Sequence, residues 1–127
     1  MLPRSKYVFW VIIVLLLFAL TGCLKAGYKD LEPDEAKKLI DENPMLLIMD
    51  VREPYEYAEA RIPGSHNIPM GEVEQQLPNI DKEQEILVVC ETGSRSASIA
   101  QMLVSKGYKH VYNLKGGIAN WPYELEK

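Results

Sequence analysis

The sequence predicts a single α/β domain with a mainly parallel sheet of about five strands and helices on both faces. Short apolar runs alternate with segments whose apolar residues recur at helical spacing, which is the pattern of βαβ units. The run at residues 45–49 is continuously apolar, as expected for a strand that is covered on both faces. With 127 residues, 47% of them hydrophobic, the chain is long enough for one core and too short for two.

The first half of the domain is predicted to contain three strands and three helices, each with its own boundary signals. Pro33 starts the first helix, and Asn43-Pro44 stops it. The strand that follows delivers Asp50 to the carboxyl edge of the sheet, where the ligand crevice of open α/β sheets lies. The predicted strands are residues 28–31, 45–49 and 66–68, and the predicted helices are residues 33–43, 53–60 and 72–77.

The second half is organised around residues 90–96, which join a β-type apolar run to a helix pattern. Cys90 is therefore predicted to lie at the end of a strand, in the loop just before the N-terminus of a helix. The remaining predicted elements are a strand at 86–89, a helix that continues to about residue 106 with Gly107 as its cap, a strand at 110–114, and a turn at Gly116-Gly117 with a short helix in which Trp121 is a core or lid aromatic.

The predicted position of Cys90 favours an ionised thiol. Successive backbone N–H groups in such a turn form a cradle for an anion, and the helix dipole adds partial positive charge. A free cysteine titrates near ~8.5, and a helix N-terminus or a neighbouring arginine such as Arg95 lowers that pKa by several units. We expect Gly93 to take a positive φ, and Ser94 and Ser96 to add hydroxyl donors. Cys90 is thus a candidate nucleophile.

The loop Cys-x-x-Gly-x-Arg-Ser after a buried strand resembles the active-site loop of the rhodanese-like sulfurtransferases. Three further blocks resemble the family's other signatures in the same order: DVREPYEY at 50–57, IPGSHNIP at 62–69 and LKGGIANW at 114–121. The resemblance covers about residues 28–123 and implies a rhodanese-like fold and no cofactor. It implies Cys90 as the catalytic residue and a substrate-binding loop made of Glu91, Thr92, Gly93, Ser94, Arg95 and Ser96.

Two positions depart from the family pattern. The family commonly has Gly-His before its Ile-Pro-Gly, whereas this chain has Ala60-Arg61, a change expected at a surface turn. Glu91 follows the nucleophile directly, which places a negative charge beside a pocket for an anion and bears on the identity of the sulfur donor.

Asp50 and Arg52 are supporting candidates with two possible roles. In a functional role, Asp50 would brace the Cys90 loop through its amides or through Arg95, and Arg52 would lie near the mouth of the site. In a structural role, Arg52 would pair with Glu56 four residues later. We favour structural roles for both residues.

The N-terminal residues indicate export and a lipid anchor. Arg4 and Lys6 precede an uncharged apolar run that ends in Leu-Thr-Gly-Cys23, which is typical of a signal peptide and resembles the lipobox of bacterial lipoproteins. The expected division is a signal peptide at 1–22, a tether at 23–27 from an acylated Cys23, and a domain at 28–127 outside the cytoplasm. The alternative is an uncleaved spanning helix, which would put the domain on the same side.

Composition limits the partners and cofactors. The chain has 14 basic and 18 acidic residues and no clustered Lys/Arg run, which argues against nucleic acid. With two cysteines and two histidines, none of them at metal-ligand spacing, no metal site is expected. Acylation of Cys23 would leave Cys90 as a lone reactive thiol. The expected partners are a small sulfur-containing anion, a thiol acceptor and, through the lipid, a membrane.

Three functions remain open. In the first, Cys90 takes sulfur from a donor such as thiosulfate as a persulfide and passes it to a nucleophile. The second is a cysteine phosphatase or arsenate reductase; those enzymes have a similar loop but hold one residue more between cysteine and arginine than the four of this chain. The third is a catalytically silent module for binding or redox sensing.

Overall fold

The computed structural model describes residues 27–127. The predicted signal peptide, the candidate lipidation site Cys23 and the tether up to residue 26 lie outside the described residues. Within residues 27–127, every helix falls short of the length and apolarity that spanning a bilayer requires. The elements are β1 (Lys29–Leu31), α1 (Pro33–Glu42), β2 (Leu47–Asp50), α2 (Pro54–Glu59), β3 (His66–Asn67), α3 (Val73–Gln76), β4 (Glu85–Val89), α4 (Ser94–Ser105) and β5 (His110–Leu114).

The five strands form one sheet in the order β1-β5-β4-β2-β3, and all four neighbouring pairs are parallel. The predicted fold class is confirmed. Because the strands are parallel, their carboxyl ends share one edge of the sheet. Asp50 ends β2 and Cys90 follows the last residue of β4, its neighbour, so the two lie side by side at this edge.

Two apolar layers cover the sheet, one on each face. Ile86 and Val88 of β4 pack into the layer that includes α4, whereas Leu87 and Val89 pack into the layer that includes Ala36 of α1. Side chains alternate between the faces of a strand, so a central strand covered on both sides is apolar at successive positions. All four side chains are fully buried. The strand that carries Cys90 is therefore held from both faces.

Helices α1 and α2 begin in the same way. Each is preceded by a glutamate, starts with proline and has a glutamate two residues after that proline. The backbone N–H of Glu53 donates to Glu56 Oε2 at 2.9 Å, which is half of a capping box. The proline loses no hydrogen bond, because the first helical N–H has no partner within the helix. This local signal fixes the start of α2 and the orientation of Glu56.

Element boundaries differ from the prediction where turn hydrogen bonds compete with the apolar pattern. β2 begins at Leu47 instead of residue 45, because the backbone N–H groups of Met45 and Leu46 bond to the side chain and carbonyl of Asn43. The helix predicted at 72–77 is the single turn α3, flanked by 3₁₀ turns at Met70–Glu72 and Leu77–Asn79. A third 3₁₀ turn, Ile118–Asn120, follows β5 and leads to the buried Trp121.

Candidate active site

Cys90 lies between the end of β4 and the start of α4, and its sulfur is surrounded by donors. The backbone N–H groups of Gly93 and Ser96 donate to Sγ at 3.1 and 3.3 Å, and the Ser96 hydroxyl lies 3.2 Å from Sγ. Cys90 and Ser96 are both fully buried. The predicted amide cradle is present, and the sulfur already occupies it.

The pKa of the Cys90 thiol lies below its ordinary value. Burial acts to raise this pKa, but the hydrogen bonds from the Ser96 hydroxyl and amide, and from the Gly93 and Thr92 amides, together outweigh it. Donors around the sulfur stabilise the thiolate more than the thiol, because the negative charge strengthens each of these hydrogen bonds. The geometry therefore favours an ionised nucleophile.

Gly93 supplies the turn that folds the loop around the sulfur. Its φ is 92°, in the left-handed region where L side chains are strained, as expected from its position. It also faces the turn after β5, because a Cβ on Gly93 would lie 3.0 Å from the Gly116 nitrogen. The loop thus needs glycine for its conformation and for close packing.

A support that the sequence analysis did not identify lies behind the loop. The N–H groups of Ile118 and Ala119 donate to the carbonyls of Cys90 and Glu91, both at 2.9 Å. Gly117 has φ 63° and ψ −161°, and a Cβ there would lie 2.4 Å from the Glu91 carbonyl oxygen. The two adjacent glycines in the predicted turn were the available signal, because glycine is the usual residue at turns and where the backbone must approach another group closely.

Arg95 is bound by a carboxylate rather than directed freely at the sulfur. Its Nη1 and Nη2 donate to Glu56 Oε2 and Oε1, both at 2.9 Å. This bidentate hydrogen bond lowers the pKa of Glu56 to about 2 and raises the pKa of Arg95. The predicted alternative in which Glu56 pairs with Arg52 is wrong, because Glu56 points from α2 to the first turn of α4.

Arg52 is buried, and its guanidinium forms hydrogen bonds to three different segments near the carboxyl edge of the sheet. Its guanidinium donates to both oxygens of Asp50, to the Ala60 carbonyl at 2.7 Å, and through Nη1 to Glu91 Oε2 at 3.3 Å. Burial acts to lower the Arg52 pKa, but the hydrogen bonds and charge of Asp50, together with the charges of Glu91 and Glu56, offset it and raise the pKa. Asp50 accepts hydrogen bonds from Arg52, and none of its hydrogen bonds goes to Arg95 or the loop amides, so the direct brace of the functional role is absent and the favoured structural role fits the contacts.

The other residues considered in the sequence do not donate hydrogen bonds to the Cys90 sulfur through their side chains. Thr92 and Ser94 are exposed, and the Ser94 hydroxyl is not among the donors to the sulfur. His66 is exposed on β3, and His110 lies 3.4 Å from Glu83.

Among residues 27–127, no group of three or more His, Cys, Asp or Glu side chains could hold a metal ion. The groove of about 800 Å³ beside β3 is lined by residues such as Met45, Ile68 and Gln84 and does not reach Cys90.

Most of the domain matches the model of one protein family. The model of the rhodanese-like domain matches residues 32–124. The thiosulfate sulfurtransferase GlpE of Coxiella burnetii is 36% identical over 94 residues, which cover 74% of this chain and 87% of GlpE. The Bacillus subtilis protein YrkF is 38% identical over 90 residues. This chain spans only about half of YrkF, because the matched region covers 71% of the chain and 49% of YrkF.

A solved structure agrees with the fold. The crystal structure of a rhodanese-like domain protein from Staphylococcus aureus is similar with a TM-score of 0.70 and 33% sequence identity. The similarity covers 77% of this chain and 96% of that protein. The family match at residues 32–124 includes the strand, loop and helix that carry Cys90.

Proposed function

The chain belongs to the rhodanese-like family, which includes sulfurtransferases among its relatives, and from this premise we propose that it moves sulfane sulfur through a persulfide on Cys90. One observation carries the proposal: the Cys90 sulfur accepts hydrogen bonds from the Gly93 and Ser96 amides. These donors suit a thiolate before the reaction and a persulfide anion after it.

The proposed first half-reaction uses a donor such as thiosulfate. The Cys90 thiolate attacks the outer sulfur, a new S–S bond forms, the bond to the sulfonate sulfur breaks, and sulfite leaves with the electron pair. In the second half-reaction a thiol or another nucleophile attacks the outer sulfur of the persulfide and restores the Cys90 thiolate. The reacting form is the thiolate, and the hydrogen bonds that lower the pKa of the Cys90 thiol increase the share of that form without a separate base.

Loop length favours this function over a phosphatase or arsenate reductase. The loop holds four residues between Cys90 and Arg95, and the amides of Gly93 and Ser96 already converge on one sulfur atom. A ring this small suits a single sulfur better than a tetrahedral oxyanion. We therefore expect the wild-type chain to show no hydrolysis of an aryl phosphate, and hydrolysis at an enzymatic rate would favour the phosphatase instead.

The central test is sulfur loading of the purified full-length chain. Incubation with thiosulfate should add the mass of one sulfur atom to the Cys90 peptide, and a thiol reductant should remove it. Cys90→Ser should abolish the gain. Arg95→Ala should slow loading about tenfold without abolishing it, because the amide cradle remains and Glu56 already shares the Arg95 charge. If no sulfane donor loads the wild-type chain, the silent binding or redox module becomes the better interpretation.

We also propose that the domain is exported and held at a membrane through Cys23, with its reactive edge facing away. Lys29 at the start of β1 pairs with Tyr112, which pairs with Leu87 of β4. Cys90 lies three residues further along the strand direction, or about 10 Å. The first strand thus begins level with the middle of β4, whereas the thiol is at the carboxyl edge. An anchor at residue 23 would leave the loop open to an acceptor in solution.

The anchor has its own test. Metabolic labelling with a fatty acid should mark the wild-type chain, and its mature form should begin at Cys23. Cys23→Ser should block both processing and labelling, and Cys90→Ser should change neither. A membrane-bound wild-type product that retains Met1 would instead support a spanning helix.

A further inference from the structure

Both arginines that contact the cysteine loop are already neutralised by carboxylates. Arg95 is held by Glu56 through two hydrogen bonds. Arg52 is held by Asp50, and the one guanidinium nitrogen that Asp50 and Ala60 leave over, Nη1, faces Glu91. Each guanidinium therefore already shares its charge with at least one carboxylate before an anion arrives.

Glu91 is the most exposed member of this group. Its side chain is 44% exposed, whereas Arg52 is 3% exposed. Its carboxylate nevertheless lies within 3.3 Å of Arg52 Nη1, one residue after the nucleophile. A half-exposed ion pair of this kind is weak, but it places a negative charge beside the Arg52 nitrogen that Asp50 and Ala60 leave over.

The charge balance at the mouth is negative. Two guanidinium groups face the carboxylates of Asp50, Glu56 and Glu91, which leaves one formal negative charge in excess, and the Cys90 thiolate of the proposed reaction adds another. Lys115, at the same edge of the sheet, is paired with Glu32 at 2.7 Å. Each negative charge carried by a donor therefore adds a repulsion that no unpaired cation among these residues offsets.

We propose that Glu91 is a specificity residue that selects sulfane donors with at most one negative charge, such as an alkyl persulfide or a thiosulfonate, over the thiosulfate dianion. This proposal rests on the persulfide function proposed above. The chemical step is unchanged: the thiolate attacks the sulfane sulfur, the S–S bond to the leaving group breaks, and the leaving group departs with the electron pair as a thiolate or a sulfinate.

The experiment compares two donors that differ by one charge. Methanethiosulfonate is a monoanion that transfers its outer sulfur and releases methanesulfinate, whereas thiosulfate is a dianion that releases sulfite. Loading rates of Cys90 with each donor are measured by mass spectrometry for wild type, Glu91→Gln and Glu59→Gln. Glu59 is an exposed carboxylate on α2 and serves as a charge-matched control. The quantity compared is the ratio of the two rates in each variant, which cancels the intrinsic reactivity of the donors.

Glu91→Gln should shift the rate ratio toward thiosulfate by about fivefold. The substitution removes a negative charge near the mouth of the site that repels the extra charge of the dianion. Glu59→Gln should leave the ratio unchanged. Added neutral salt should shift the wild-type ratio in the same direction as Glu91→Gln, because it screens the repulsion. A ratio that stays the same in Glu91→Gln and in salt would overturn the proposal while both donors still load Cys90. Failure of both donors to load wild type would instead count against the persulfide function.

Discussion

The cysteine loop is supported on two sides by different kinds of interaction. On the β2–α2 side, charged side chains hold it: Arg52 contacts Glu91, and Glu56 binds Arg95. On the β5 side, backbone groups hold it: the amides of Ile118 and Ala119 bond to the loop carbonyls, and Gly117 allows the close approach. The support from the charged side depends on which side chains are present and on pH. The support from the backbone side requires that residue 117 has no side chain. The two kinds of support can therefore be tested separately, by a change of charge on one side and by an added Cβ on the other.

The largest effect is expected on the charged side, where the ion pair is buried. Arg52→Met leaves Asp50, which is fully buried, without its counter-charge and should lower the free energy of unfolding by about 3–5 kcal/mol. Lys37→Met breaks the exposed pair with Asp41 and should cost no more than about 0.5 kcal/mol. Urea unfolding at neutral pH measures both. Adding Asp50→Asn to Arg52→Met should recover part of the loss, and equal costs for the two single variants would contradict this account.

The second effect tests the backbone side with two glycines of positive φ. Gly117→Ala places a Cβ 2.4 Å from the Glu91 carbonyl oxygen in a conformation that is nearly restricted to glycine. It should cost about 2–4 kcal/mol and displace the loop, so that sulfur loading is lost. Gly64→Ala also has a positive φ but meets nothing within 4 Å. It should cost only about 1 kcal/mol and leave loading intact. Normal loading in a folded Gly117→Ala variant would show that the backbone support is dispensable.

The smallest effect is the pH dependence of the Glu56–Arg95 pair. The folded pKa of Glu56 is about 2, below its unfolded value near 4.5, so the pair contributes its full stability above pH 4.5 and loses it as the pH falls toward 2. Glu56→Gln should therefore be less stable than wild type by about 1–2 kcal/mol at neutral pH. The difference should shrink below pH 4.5 in parallel unfolding experiments. Glu59→Gln is the control, and a difference that persists unchanged at pH 3 would argue against the ion pair.

Several parts of the fold were accessible from the sequence because their signals are local. The proline and glutamate pattern at residues 53–56 marks the start of α2, and the apolar run before Cys90 marks a central strand. Gly93 was predicted at positive φ and has it. The boundaries of β2 and α3 were less accurate, because the side chain of Asn43 and the 3₁₀ turns around Val73 compete with the apolar pattern on a scale of one or two residues.

The partners of the charged residues could not be predicted in the same way. The spacing of Arg52 and Glu56 suits a helical pair, but Arg52 precedes α2 and turns back to Asp50 instead. Glu56 then meets Arg95, which lies 39 residues away in the sequence. Nothing in the spacing of these residues specifies such a contact, since it depends on how α2 packs against the N-terminus of α4.

The sequence by itself determined the fold class, the family and the place of Cys90 between a strand and a helix, because apolar periodicity, turn residues and the loop motif are all properties of neighbouring residues. Only the tertiary structure decided which carboxylate binds which arginine and what lies behind the loop. Parallel strands from distant parts of the chain end at one edge, and their order there brings Asp50, Cys90 and the Gly116-Gly117 turn together. The charge at the mouth of the site is therefore a property of the assembled edge.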